Sequence, residues 1–211
     1  MVSRRKKDEC LFNAIKLVIF KLGTSKPLYI TPDFVCSVHK ELYAYYRPAA
    51  GRFRNVVYRA VVKSDTFKPV PPSEIKTRLF DLCDFVNNDS LKDSLYKKLF
   101  VGNIDDYEKL ELKAKNFYYA IFCASYVHHQ VTYIHPFTGG NGRLARLLMS
   151  MELANHKMYK ASYPPLLNLV IKRHRDEYLD ALGEWDMGKV LPFCLFLVKI
   201  LKEAAEMEDS F

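Results

Sequence analysis

Residues 135–146 read His-Pro-Phe-Thr-Gly-Gly-Asn-Gly-Arg-Leu-Ala-Arg, placing a histidine, a glycine-rich turn and two arginines in one short stretch. Gly140, Asn141 and Gly142 make a turn whose backbone amides can converge on an anion. Beyond it, Leu144, Leu147, Leu148 and Met151 fall at helical spacing. A helix opening at about Gly142 would aim its first N–H groups and the positive end of its dipole at the turn, an arrangement suited to phosphate. Arg143 and Arg146 share nearly one face of the first turn and can fork onto phosphate oxygens. His135 ends the preceding apolar segment, where an imidazole with a pKa near neutrality can take a proton from an attacking hydroxyl. Each feature alone has an ordinary reading: a core histidine, a capped helix start, two solvated arginines. Their adjacency points to phosphate chemistry. Pro136 is expected to restrict His135 to extended backbone angles and Phe137 to anchor the loop. Gly140 and Gly142 avoid β-carbons, while Asn141 is both an N-cap and a donor able to orient a phosphate oxygen.

Working upstream, residues 108–134 are apolar nearly all round, which predicts a long central helix buried on most faces. Further helices are expected over residues 8–22, 31–46, 73–86, 142–157, 167–182 and 189–206, with a short one inside 87–102. Pro48 and Gly51 break this pattern. The run Asn55-Val56-Val57-Tyr58-Arg59-Ala60-Val61-Val62 is rich in β-branched and aromatic residues, Lys63-Ser64-Asp65 can turn it, and Pro69, Pro71 and Pro72 stop it. The expectation is a mainly α bundle of about seven or eight helices with one short β-hairpin. A single domain over residues 10–206 would carry short tails at 1–9 and 207–211.

At 211 residues and 49% hydrophobic content, the chain can bury one substantial core. Its net charge of +8 would suit nucleic acid, an acidic membrane surface or a phosphorylated small molecule. Most of that charge is dispersed, however, as on a solvated surface. The compact basic run Arg4-Arg5-Lys6-Lys7 reads as a solubilising tail, or alternatively as a localisation or membrane-contact signal. No recognition helix with clustered base-reading side chains is visible, so nucleic acid is not the expected partner. Cys10, Cys36, Cys83, Cys123 and Cys194 lie far apart, which argues against a zinc or redox motif. Thiols in apolar stretches suit a reducing compartment, the cytoplasm of the cell or of a host into which the protein is delivered. No signal peptide is seen, and the longest apolar runs, 117–127 and 190–200, are too short to span a bilayer.

The motif resembles the core of the Fic (Fido) family: His-Pro-Phe, any residue, an acidic residue, Gly or Ala, Asn, Gly or Lys, Arg. His135, Pro136, Phe137, Gly140, Asn141, Gly142 and Arg143 match it, Thr138 fills the free slot, and Arg146 matches a second arginine of the nucleotide-transferring members. Gly51-Arg52-Phe53-Arg54 is similar to the family's Gly-x-aromatic-Arg entry to a target-docking hairpin, with Pro71-Pro72 following at a familiar distance. Residues 126–134 are similar to its long helix, and 175–182 to a later one. The likeness covers residues 10–205. It implies a Fic-type bundle with a hairpin flap, and transfer of AMP from ATP to a Ser, Thr or Tyr hydroxyl of an unidentified target protein. It also implies His135 as general base, a phosphate site of Gly140, Asn141, Gly142, Arg143 and Arg146, and Arg143 on the terminal phosphates. The flap residues Val57, Tyr58, Arg59, Ala60 and Val61 would add a strand edge to the target, a mode that needs little target sequence. Arg52 and Arg54 carry no assigned role.

Gly139 is the departure. The family places Asp or Glu there to hold the magnesium ion bridging the donor's phosphates, and Gly139 offers only a backbone carbonyl. The neutral hydroxyl of Thr138 is a poor substitute on a hard cation. Losing about 3 kcal/mol of charge stabilisation would slow transfer on the order of a hundredfold. The resemblance thus leaves three readings: a slow or metal-poor transferase, a transferase using another donor such as those for UMP, phosphate or phosphocholine, and an inactive nucleotide-binding interaction module. The family's inhibitory Ser/Thr-xxx-Glu-Gly/Asn motif is not found; Ser37 to Glu41 comes nearest but is followed by Leu42.

Overall fold

The computed structural model describes residues 4–24, 28–45, 47–56, 68–158 and 164–208. Among these residues all regular structure is helical: nine α-helices and single 3-10 turns, with no strand. The expected hairpin, including Val57 to Val61, lies outside the described residues. The chain divides into two compact units, residues 1–88 with 130–147, and residues 89–129 with 148–211. No helix among the described residues is long and apolar enough to cross a membrane.

The first unit contains α1 (Arg4–Thr24), α2 (Pro32–Tyr43) and α3 (Ile75–Asn87). Helix α1 takes in the basic run at Arg4 and buries only Cys10, Ala14 and Val18, one residue per turn. Helix α2 starts where its sequence says it should. The Thr31 hydroxyl accepts the Phe34 N–H at 3.2 Å, Pro32 sits in the first turn where its missing N–H is harmless, and Asp33 favours the positive helix end. Its buried face, Val35, Val38, His39, Leu42 and Tyr43, follows helical spacing and includes two polar-tipped rings. Helix α3 buries Ile75, Leu79, Leu82, Cys83, Phe85 and Val86. At its end Asn87 pins the segment before α2, its carboxamide accepting the Ile30 N–H at 2.7 Å and donating to the Ile30 carbonyl at 2.8 Å.

The second unit contains α4 (Asp89–Leu99), most of α5 (Leu112–Ile134), the later turns of α6 (Asn141–Asn155), and α7 (Pro164–Arg173), α8 (Arg175–Asp186) and α9 (Leu191–Glu208). The extra helix relative to the expected seven or eight arises at residues 167–182. There His174, at φ −105 and ψ 37, leaves the helical region and splits one expected helix into α7 and α8. Helix α4 hides a lysine: Lys92 is 1% exposed and meets the fully buried Glu152 at 2.8 Å. Burial pushes the Glu152 carboxyl up, but His156 and Lys92 outweigh it and hold the group below its ordinary value. Around α4 and α5, Tyr96 stacks on Phe100, meets Tyr107 and Tyr119 edge-to-face and is tilted against Phe122, geometries that aromatic quadrupoles favour.

Candidate active site

The loop between α5 and α6 carries the motif, and its first residue departs from expectation. His135 has φ +49, in the left-handed region, where Pro136 was expected to enforce extended angles. Its N–H still donates to Val131 at 3.1 Å, so the helical bonding pattern runs through the histidine before the chain reverses. Arg54, 3% exposed, braces this turn. Its Nε donates to the His135 carbonyl at 2.7 Å, its Nη1 to the Val56 carbonyl at 3.0 Å, and its Nη2 to the carbonyls of Ile134, at 3.3 Å, and Val70. Its own N–H donates to the Pro136 carbonyl at 2.9 Å. These oxygens include the C-terminal carbonyls that a helix cannot satisfy internally. Arg54 therefore replaces the missing turn of α5 and fixes the backbone of His135.

The imidazole of His135 is half-buried, with Nδ1 3.3 Å from the Thr132 carbonyl. A carbonyl oxygen only accepts, so that bond requires the proton on Nδ1 and leaves the neutral ring's lone pair on Nε2. Burial lowers the pKa of His135, the Thr132 carbonyl opposes this, and the charge of Arg54 reinforces it. The ring is thus a neutral base at neutral pH.

Phe137 is fully buried and stacks on His39 with centroids 3.8 Å apart. Asn141, 1% exposed, clamps the loop: its oxygen accepts the Phe137 N–H at 3.0 Å and its Nδ2 donates to the Phe137 carbonyl at 2.8 Å. A donor role toward phosphate, as expected from sequence, would require that carboxamide to leave the Phe137 carbonyl. Helix α6 opens directly behind it, since the Gly140 carbonyl accepts from Arg143 and Leu144, both at 3.1 Å. Gly140 is at φ +89, and a β-carbon there would lie 2.2 Å from the Tyr43 ring. Glycine is needed for both conformation and space. Gly142 is freer; its β-carbon would meet only Nη1 of Arg146, at 3.4 Å. The guanidinium of Arg143 lies over the Tyr43 ring, 5.4 Å from its centroid.

Thus His135, Gly140, Asn141, Gly142, Arg143 and Arg146 all lie in or directly beside one loop, with Gly139 among them. Three further side chains complete its surroundings. His39, 1% exposed, accepts the Gly51 N–H on Nδ1 at 2.9 Å and donates from Nε2 to the Gly139 carbonyl at 2.9 Å. Burial pushes its pKa down to about 4, so it is a neutral strut joining α2 to the loop. Tyr43 floors Gly140, and Arg47 stacks on the same ring at 5.2 Å. The signal for His39 and Tyr43 was available as two polar-tipped rings on the apolar stripe of α2. Nothing local marks Arg47.

The Fic/DOC family model matches residues 29–153, and the chain belongs to that family. Among named relatives, it is 29% identical over 171 residues to a protein adenylyltransferase Fic of Nematostella vectensis, covering 81% of this chain and 32% of that protein. It is 32% identical over 98 residues to a protein adenylyltransferase Fic of Aedes aegypti, covering 46% and 18%. A solved structure of Fic-1 from Caenorhabditis elegans superposes with a TM-score of 0.69 at 22% identity, covering all of this chain and 56% of that one, a likeness of fold. The chain spans a third or less of the length of these two named relatives.

Magnesium, which the resemblance implies, does not fit the residues present. Position 139 has no carboxylate, and the guanidinium of Arg47 lies against it: a β-carbon on Gly139 would be 2.7 Å from Nη1 and 2.9 Å from Nη2. Thr138 is exposed and neutral. Among the described residues the potential metal-ligating cluster is Cys123, Glu152 and His156, none of which belongs to the motif loop.

Proposed function

We propose that this chain is a Fic-type transferase that moves AMP from ATP onto a Ser, Thr or Tyr hydroxyl of a target protein. The observation that carries the reading is the 3.3 Å approach of His135 Nδ1 to the Thr132 carbonyl, which favours the tautomer with its lone pair on Nε2, next to a glycine turn opening α6. In the reaction the target hydroxyl oxygen attacks the α-phosphorus of ATP. A new O–P bond forms, the bond to the bridging oxygen of the β-phosphate breaks, the hydroxyl proton passes to Nε2 of His135, and pyrophosphate leaves. Arg143, Arg146 and the amides of Gly140 to Gly142 at the start of α6 bind and stabilise the phosphates, because charge there is met by a helix end and two forked donors. Residues Val57 to Val61 are assigned the docking of the target on the family resemblance alone. Names carried by relatives support the ATP donor and protein acceptor.

The test is transfer of label to protein from α-labelled and γ-labelled ATP, with self-modification scored alongside. Label is expected from the α-phosphate only, and its loss in His135→Ala. Binding of ATP with no transfer to any protein would instead favour the inactive nucleotide-binding module.

A further inference from the structure

The guanidinium of Arg47 rests where the side chain of residue 139 would begin. Nη1, Nη2 and Cζ would be 2.7, 2.9 and 3.0 Å from a β-carbon on Gly139. The glycine therefore does more than remove an anion; it opens space that a cation fills. Tyr43 shapes this arrangement by offering its ring to both Arg47, at 5.2 Å, and Arg143, at 5.4 Å. A cation–π contact accounts for the guanidinium's place beside the ring. It does not account for the fork lying flush on the motif loop, nor for Arg47 Nε, which is buried without a hydrogen-bond partner among the described residues. A divalent ion at this loop would face that guanidinium with no carboxylate to offset the repulsion.

We propose that Arg47 supplies at Gly139 the positive charge that a metal ion supplies elsewhere in the family, making nucleotide binding and transfer by this chain independent of magnesium. The proposal rests on the transferase reading above. A guanidinium stays protonated at all working pH values, loses hydration more readily than an ammonium, and presents a planar fork matched to phosphate oxygens. It can neutralise charge on the leaving pyrophosphate as the bond from the α-phosphorus to the bridging oxygen breaks, while the proton still goes to His135. It cannot coordinate two phosphates with the strength of a divalent ion, so the chemistry is expected to be slow.

The experiment measures ATP affinity by calorimetry, and α-label transfer, in EDTA and in magnesium. Wild type, Arg47→Ala, Arg47→Lys, Gly139→Asp and Arg47→Ala/Gly139→Asp are compared, with thermal melts confirming folding. Wild type is expected to bind and transfer equally in both buffers. Arg47→Ala should lose about tenfold or more in affinity in EDTA, with Arg47→Lys between. Gly139→Asp, which sets a carboxylate against Arg47, should also weaken binding in EDTA, and the double variant should bind well only with magnesium. Wild-type binding that demands magnesium would overturn the proposal while leaving the transferase reading intact, as would Arg47→Ala and Gly139→Asp variants that bind like wild type in EDTA. If wild type binds no ATP in either buffer, the transferase reading itself fails and this proposal fails with it.

Discussion

Arg54 holds His135 by its backbone: Nε of the arginine meets the histidine carbonyl at 2.7 Å, and the same guanidinium reaches Ile134, Val56 and Val70. A buried cation is here balanced by carbonyl dipoles. Arg54→Ala would leave several buried carbonyls without donors, so we expect a loss of about 3 kcal/mol or more in urea unfolding. Arg54→Lys should recover only part of it, since an ammonium cannot span the same fork. In transfer assays on the folded fraction, the turnover rate should fall more than the ATP affinity, because the base is displaced and the arginines of α6 are not.

The pH dependence of transfer follows from the direction of the His135 shift. In the proposed transfer the active form is the neutral ring, and burial with the Arg54 charge disfavours protonation. The rate should therefore stay level through neutral pH and fall on the acid side, with a midpoint below the ordinary histidine value of about 6.5. A midpoint above that value in a rate–pH profile would contradict the geometry.

His39 makes the loop acid-sensitive by a separate route. Its neutral form accepts from Gly51 and donates to Gly139, and its pKa drops from 6.5 to about 4 on folding. Between those values the unfolded chain binds the proton and the folded chain does not, so stability rises with pH there. The contribution is complete above about pH 6.5 and is lost as pH falls toward 4, in all about 3 kcal/mol. Melting temperatures from pH 7 to 4.5 should fall less steeply in His39→Gln than in wild type.

Gly140 and Gly142 look alike in the motif but should respond differently. Gly140→Ala meets Tyr43 and a positive φ together, and about 2 kcal/mol or more of stability should go. Gly142→Ala touches only the flexible end of Arg146 and should unfold within about 1 kcal/mol of wild type.

Local pattern was enough for much of the helical frame. The cap at Thr31, the stripe from Val35 to Tyr43 and the apolar run into Ile134 each announce a helix by spacing alone. Tertiary pairing was not readable in that way. His174 breaks a helix without glycine or proline, and Lys92, a residue type usually solvated, is buried by a glutamate far along the chain. In the site, residue types showed which groups could act, whereas the directions of side chains decide what they touch. Asn141 turns back on Phe137, and Arg47, His39 and Tyr43 approach the loop from a helix and turn that carry no motif.

An L-residue in the left-handed region gives up roughly 1 kcal/mol that glycine would not. Position 135 carries that burden with a bulky ring and a proline behind it. A chain selected for durability alone would place glycine or asparagine there. On the proposed function, position 135 accepts that backbone cost to hold a base, and His135→Gly should abolish transfer while melting close to wild type, because the strain relieved is offset by the unfolded-state entropy of glycine.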